Sequence, residues 1–512
     1  MMFYKKSDLK VKDENFEVVI TDFSKGLNLS KEENVLNPNS CVRAYNFAYK
    51  KGVLTESYGF KTLTCPSYND DLLRETYTYY FDENEDVVEF LSLWFYKIYD
   101  ESNGGRVDKL MYYATNQEMY YSRIITFEPA ILSSGFTLEE KPTFTYNIKY
   151  NNYDYNLIGG ENMGVYYNDG EHSPKKLENC PNISSMCEDK DKLFCTVRGE
   201  KNAIYYHIGD DFINWTTTED DNNGCIIMND ERGKINKVVS FLGYVFAIRD
   251  YGISKIFNYE NFSKFDITHL SMAGNKIYEN TVAICGDKML MLTKQGIATF
   301  NGVTNENLNI DINELLKNVD NDDALAVFHS DKYYLACKAN FNDDKTIGSE
   351  NIEGNINNAL IILDVKTLDY DIIRGVDIAS MVSIKLNMMD KIAMILRNRE
   401  TTKVITLTDD GKFYNEPLDK EWVSPLSDLG YSDKIKIVKD ISLLSKYDAK
   451  ITIFTESSSK TFKVLGRNTL SKFKVNLKGK QIGIKIESNS DKAYISNVKL
   501  NVELKDYGYS EI

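Results

Sequence analysis

Asp287-Lys288-Met289-Leu290-Met291-Leu292 runs on into Lys294-Gln295-Gly296-Ile297-Ala298-Thr299-Phe300-Asn301-Gly302. A polar turn opens the stretch, an apolar run follows, and a Gly break separates it from a second run that ends in an aromatic residue. Apolar runs of this length between turn residues read as buried strands joined by a hairpin. The same unit recurs on both sides, at residues 108–113, 154–159, 191–195, 243–248, 331–335 and 390–396. Seven units result, their starts 37 to 59 residues apart and about 47 on average.

That period accommodates four strands of about five or six residues with their turns. A lone four-stranded sheet cannot bury both faces, and radial packing of several such sheets solves the problem. Asp169-Gly170, Asn301-Gly302, Gln295-Gly296 and Asp410-Gly411 supply the turn chemistry between apolar runs. The expected fold is all-β: a β-propeller of about seven blades over residues 66–429, with six or eight blades also compatible. Unrelated β-meanders of similar length would leave the same periodic signal. Residues 1–65 read as an N-terminal arm and docking segment. Residues 430–512 alternate strictly, through Ile482, Ile484 and Ile486 and again through Val498, Leu500, Val502 and Leu504. They read as a small antiparallel β-sandwich or barrel-like domain, half-buried on one face. One short helix is expected at 311–316, behind an Asp311/Glu314 capping box. An exposed loop is expected at 340–358.

Composition narrows the function. The 35 Tyr and 25 Phe suit strands. The net charge of −15 is scattered along the chain, which opposes nucleic-acid binding; no basic stripe of the kind a nucleic-acid reader uses is present. The Lys-rich stretch 472–480 alternates with Phe473, Val475 and Leu477, as a strand with one wet face does. Eight cysteines lack CxxC spacing, and several lie inside apolar runs, so they read as small buried hydrophobes in a reducing compartment. The first residues lack the apolar core of a signal peptide, and no stretch approaches 18 apolar residues. Synthesis in the cytoplasm, without a membrane anchor, is the expectation.

Catalytic motifs are sparse. His172, His207, His269 and His329 stand apart from one another and from any Cys pair, which gives zinc little support. GxSxG, HExxH and GxxxxGK[ST] do not occur. Gly209-Asp210-Asp211-Phe212-Ile213-Asn214-Trp215-Thr216 imitates a sialidase turn, without the Gly and the leading hydroxyl of that motif. Glu219, Asp221, Asn223, Gly224 and Asp230 occupy EF-hand-like positions, with acidic residues exchanged at both ends and no flanking helices. An acidic β-turn is the plainer reading of that loop. No enzyme activity, cofactor or metal is expected.

Three segments resemble phage virion proteins that carry a β-propeller, such as tail-hub stabilisation proteins and tail nozzles of short-tailed phages. The first is Asp22-Phe23-Ser24-Lys25-Gly26-Leu27-Asn28, continuing through Ala44-Tyr45-Asn46-Phe47 to Glu56-Ser57-Tyr58-Gly59-Phe60. It is similar to their GLN turn, A-x-N and R-x-G-F-like turn, with Glu56-Ser57 in place of the usual basic residue. The second is Ser271-Met272-Ala273-Gly274 with the hairpin at 294–302. The third is Gly479-Lys480-Gln481-Ile482-Gly483-Ile484-Lys485-Ile486 with Ala493-Tyr494-Ile495-Ser496-Asn497-Val498.

The resemblance implies a structural subunit of a bacteriophage tail or neck. It would form a hub or nozzle ring with other copies of itself, six by family likeness, beside adjacent neck and tail proteins. DNA would pass the lumen only transiently during ejection. Phe23, Gly26, Leu27, Asn28, Asn46, Gly59 and Phe60 are the interaction residues it points to. Both chain ends lie outside the propeller and are expected to contact neighbouring subunits, so removing 430–512 is expected to leave a folded but assembly-deficient protein. The competing readings are a receptor- or glycan-binding propeller at the tail tip, using Tyr77-Thr78-Tyr79-Tyr80 or the Tyr residues of 146–155; a glycosidase; and a cellular repeat scaffold.

Overall fold

The computed structural model describes residues 15–506 except 21–22, 24–26, 28–40, 51, 64–79, 82–86, 101–104, 107, 124–130, 170–171, 210, 258–264, 272–275, 342–356, 387–388, 398–401 and 414–415. Gly26, Asn28, Met272 to Gly274 and most of the expected 340–358 loop therefore lie outside the described residues. Strand accounts for 61% and helix for 3% of the described residues, so the chain is all-β. No helix among the described residues is long and apolar enough to cross a membrane. Contacts divide the chain into two units, one of residues 61–370 and 374–407, the other of 1–60, 371–373 and 408–512.

In the first unit every sequence repeat falls on the second strand of an antiparallel sheet. Those strands are Lys109–Ala114, Tyr153–Gly159, Lys192–Val197, Tyr244–Arg249, Lys288–Thr293, Lys332–Cys337 and Met389–Arg397. Six of the sheets are four-stranded meanders, and the seventh begins with Asp377–Leu386, Met389–Arg397 and Thr402–Thr408. Turn geometry explains the signature. Asn151-Asn152, Lys190-Asp191, Leu242-Gly243 and Ser330-Asp331 all hold positive φ at both positions. Hairpins that match strand twist demand this conformation, and Asn, Asp and Gly meet it most readily.

Neighbouring sheets bury one another's faces. Trp94 donates its indole N–H to Asn156 Oδ1 (2.8 Å) between the first and second. Leu193 and Cys195 pack with Ile148, Leu157 and Val165 between the second and third. Phe194 packs with Val238 and Val245 between the third and fourth. Phe246 and Phe300 meet edge to face at 5.3 Å between the fourth and fifth. The Tyr333 hydroxyl donates to Thr281 O (2.8 Å), and His329 Nδ1 lies 2.8 Å from Ser383 Oγ, which carries the series to the seventh sheet. There the ring closes on itself. Ser380 Oγ accepts the Leu93 N–H and donates to Leu93 O, both at 3.3 Å, across 287 residues of sequence. Phe90, Leu93 and Tyr112 share a core with Ile384, Ala393 and Val404. The incoming chain joins the outer side of the seventh sheet, where Leu63 N–H donates to Val404 O (3.1 Å). Each large side chain buried in these seams contributes about 1.5–3 kcal/mol.

The expected helix exists as Asn313–Leu316, but its capping box does not form. Ile312 takes the N-cap position, with no side-chain cap bond. Asn313 turns inward instead: its Oδ1 accepts the Ile297 N–H (2.7 Å), and its side chain fills the space beside Gly296, where φ is +108°.

The second unit interleaves the two chain ends that the sequence presents as separate blocks. One sheet joins Arg43–Tyr45, Lys420–Val423, Ile482–Ser488, Ala449–Thr455 and Ser459–Val464. The other joins Phe47–Lys50, Val53–Glu56, Tyr494–Asp506, Lys434–Ser445 and Ser471–Gly479, with Asn15–Ile20 added along Tyr494–Asp506. The alternation read at 482–486 and 498–504 places Ile482, Ile484, Ile486, Val498, Leu500, Val502 and Leu504 in the interior. Removing 430–512 would strip both sheets of their longest strands, so a folded truncation is not expected.

Ser185→Ala leaves the buried Val238 N–H, which donates to Ser185 Oγ at 2.9 Å, without its acceptor. The variant is expected to lose about 1–3 kcal/mol in denaturant unfolding; a loss near zero contradicts the inter-sheet bond.

Candidate functional site

The residues singled out as docking contacts lie inside the second unit. Phe23 is fully buried and meets Trp422 edge to face at 5.1 Å. Leu27 is buried and bridges to Cys41. Asn46, at φ +57°, sends its amide Nδ2 to Asp419 O (2.6 Å). Phe60 is fully buried, and a Cβ on Gly59 would stand 2.4 Å from both N and O of Lys412. Phe23, Asn46, Gly59 and Phe60 join the N-terminal strands to the C-terminal ones, and all five residues are buried. Their spacing was legible, whereas their depth was not, because the partners of Phe23, Asn46, Gly59 and Phe60 lie in residues 412–422.

Charge reinforces that join. Glu421, almost fully buried, accepts Arg43 Nε at 2.5 Å and pairs with Lys485 at 3.0 Å. Lys420, also buried, donates to the carbonyls of Leu418 (2.9 Å) and Ser490 (2.8 Å). Burial pushes its amine down to about 8 from the ordinary 10.5, against the opposing pull of Glu56, Asp419 and Asp491. A neutral amine still has two N–H donors for those two carbonyls.

The EF-hand-like residues are not gathered. Asn223 is committed to Asp220 and His207. Asp230 accepts Arg249 Nη1 at 2.6 Å and pairs with Arg232. Burial acts to raise its carboxyl, but the backbone N–H of Arg232 and the Arg249 guanidinium outweigh this and hold it at about 2. No group of three His, Cys, Asp or Glu among the described residues is placed to hold a metal ion.

Asp230 closes a chain that imitates a hydrolytic triad, a connection the sequence did not signal. Ser254 Oγ lies 2.8 Å from His269 Nδ1, and His269 Nε2 lies 3.4 Å from Asp230 Oδ2. Ser254 is fully buried, so no substrate carbonyl reaches it, and the carboxylate is already held by two guanidinium groups. Burial and the Arg232 charge lower the His269 pKa. The network fixes the loop that links the third and fourth sheets.

The sialidase-like and glycan-stacking readings meet the same outcome. Trp215 and Phe212 are core residues, and Tyr150, Tyr155 and Tyr167 ring Phe212 at 5.3 to 5.8 Å. Only Tyr153, at a hairpin tip and 68% exposed, keeps a free face among the described Tyr residues of that run. Tyr77 and Tyr79 lie outside the described residues. Cys41, Cys187, Cys195, Cys285 and Cys337 are buried thiols, and burial pushes Cys285 up to about 12, as suits inert packing groups.

One cavity remains. A channel of about 610 Å³ is lined by the first strands of six of the sheets, through Leu93, Phe144, Ser184, Lys237, Ala326 and Ser380, and by Glu279 and Asn280 just ahead of the fifth. Lys141 and Arg198 also line it, with Glu279 as the one carboxylate on its wall. Each cation comes from a different repeat, so no sequence motif announces the cluster.

The chain is thus an all-β protein whose larger unit is a β-propeller. Neither a family model nor a curated protein matches it. It is similar to the WD40 domain of Pan2 from Neurospora crassa, with 9% identity over 70% of this chain and 98% of that one, TM-score 0.40. It is also similar to the extracellular domain of a one-component system from B. thetaiotaomicron, with 11% identity over 92% of this chain and 64% of that one, TM-score 0.43. A third likeness is Sqt1 of Saccharomyces cerevisiae, with 12% identity over 59% and 81%, TM-score 0.35. At these identities the likeness bears on nothing beyond the fold.

A buried amine that is less basic folded than unfolded takes up a proton on unfolding, so its charge destabilises the fold at lower pH. Stability should rise as pH climbs from about 8 towards 10.5, the interval between the folded and ordinary values for Lys420. Denaturant unfolding followed by tryptophan fluorescence should show wild type gaining up to about 3 kcal/mol on Lys420→Met across that interval. A constant difference between the two contradicts the lowered pKa.

Proposed function

We propose that the chain is a non-enzymatic structural subunit of a bacteriophage tail or neck, assembling with copies of itself into a ring of six. The observation that carries this reading is where the two terminal motifs meet. Phe23, Leu27, Asn46, Gly59 and Phe60 from the first, and Ile482, Ile484, Ile486 and Val498 from the last, build one interior. The first and last of the three segments that resemble the virion-protein family build the unit outside the propeller. That unit and the propeller rim are the surfaces left for neighbouring subunits.

The propeller's own channel, about 610 Å³, is no conduit for a duplex whose major groove alone is about 12 Å wide. A DNA path would be the opening enclosed by several subunits. A chain charge of −15 keeps such a lumen from adhering to phosphates.

A second reading, a glycan-binding propeller at the tail tip, rests on the exposed ring of Tyr153. Glycan-array binding that is lost in Tyr153→Ala would favour it over the structural role.

Electron microscopy of the purified chain and mass spectrometry of purified virions test the proposal together. Closed rings with a central opening, and the chain among the virion proteins, are expected. A monomer at all accessible concentrations that is absent from virions overturns it.

A further inference from the structure

We infer that the central channel of the propeller is a binding site for a small multivalent oxyanion of the phosphate class. Its volume, about 610 Å³, lies within the range of small-ligand pockets. Three cations and one carboxylate line its wall: Lys141, Arg198, Lys237 and Glu279. Lys237 Nζ reaches only carbonyl oxygens, Glu279 O at 3.3 Å and Val282 O at 3.5 Å, both long for hydrogen bonds. Among the described residues no carboxylate stands within ion-pair distance of Lys141 or Lys237.

Glu279 favours the Lys237 charge without pairing with it, and two further acids nearby are already engaged. Glu140, near Arg198, accepts the backbone N–H groups of Asn162 and Met163. Asp377 takes Arg397 Nη2 at 2.8 Å, and Arg397 in turn adds like charge near Lys141. Asp323 lies close enough to favour the Lys141 charge without pairing with it. Arg198 is held in place by Gly160 O, at 3.0 Å from Nε, and by Thr143 Oγ1. Burial lowers the pKa of both lysines, so an incoming anion would restore charge that the empty channel disfavours.

Two ammonium point charges and a positioned guanidinium suit an oxyanion with several oxygens. The chain as a whole is acidic, so attraction arises only from this local cluster.

Titration calorimetry of the full chain with inorganic pyrophosphate, orthophosphate and citrate tests the site. Pyrophosphate should bind once per chain and raise the melting temperature. Lys141→Gln and Lys237→Met should each weaken it by about tenfold or more. Lys141 is exposed to the channel and its variant should fold as wild type does, while Lys450→Gln, on the other unit, should bind unchanged. Citrate binding as tightly as pyrophosphate overturns the phosphate class. Absence of binding at millimolar pyrophosphate, or equal affinity in the wild type and both channel variants, overturns the site itself.

Discussion

A four-stranded sheet with two apolar faces is unstable alone, and every larger feature of this molecule follows from covering both faces. The five sheets between the first and the last could be covered by simple succession along the chain. The first and the last can be covered only by each other. The contact of Leu93 with Ser380, and the shared core of Phe90, Leu93, Ile384 and Val404, is therefore the constraint on which the larger unit rests. Covering the last sheet also recruits the residues that enter the unit, as the Leu63 to Val404 bond shows.

The smaller unit has a different logic. Its sheets depend on strands from opposite ends of the chain, and the buried charge of Glu421 is satisfied by Arg43, 378 residues away. Such joins carry a high loop-closure cost unless the intervening chain is itself folded and brings its ends together. Residues 61 and 407 bound that intervening unit.

How much of this could be read from sequence depended on the kind of strand. Second strands are buried on both faces, so Lys288–Thr293 and Lys332–Cys337 appear as continuous apolar runs behind a turn and were visible. Innermost strands such as Leu325–His329 are short and only half-buried towards the channel, which blurs their pattern. The N- and C-terminal blocks looked independent because strand alternation reports that a face is buried but not which segment buries it. Phe23 and Gly59 were noticed for their spacing, and only the packing of Trp422 and Lys412 shows what they do. The channel cations were invisible for a further reason: Lys141, Arg198 and Lys237 each resemble an ordinary surface charge in a separate repeat.

Ring closure can be measured at a single amide. The Leu93 N–H lies on the innermost edge of its sheet and is covered only through Ser380 of the last one. Residue-resolved hydrogen exchange should find it as slow as amides of the second strand Lys109–Ala114, and selectively faster in Ser380→Ala. Exchange of Leu93 at the rate of an exposed edge strand in the wild-type protein would mean that the sheets form an open row, and the closed propeller would fall.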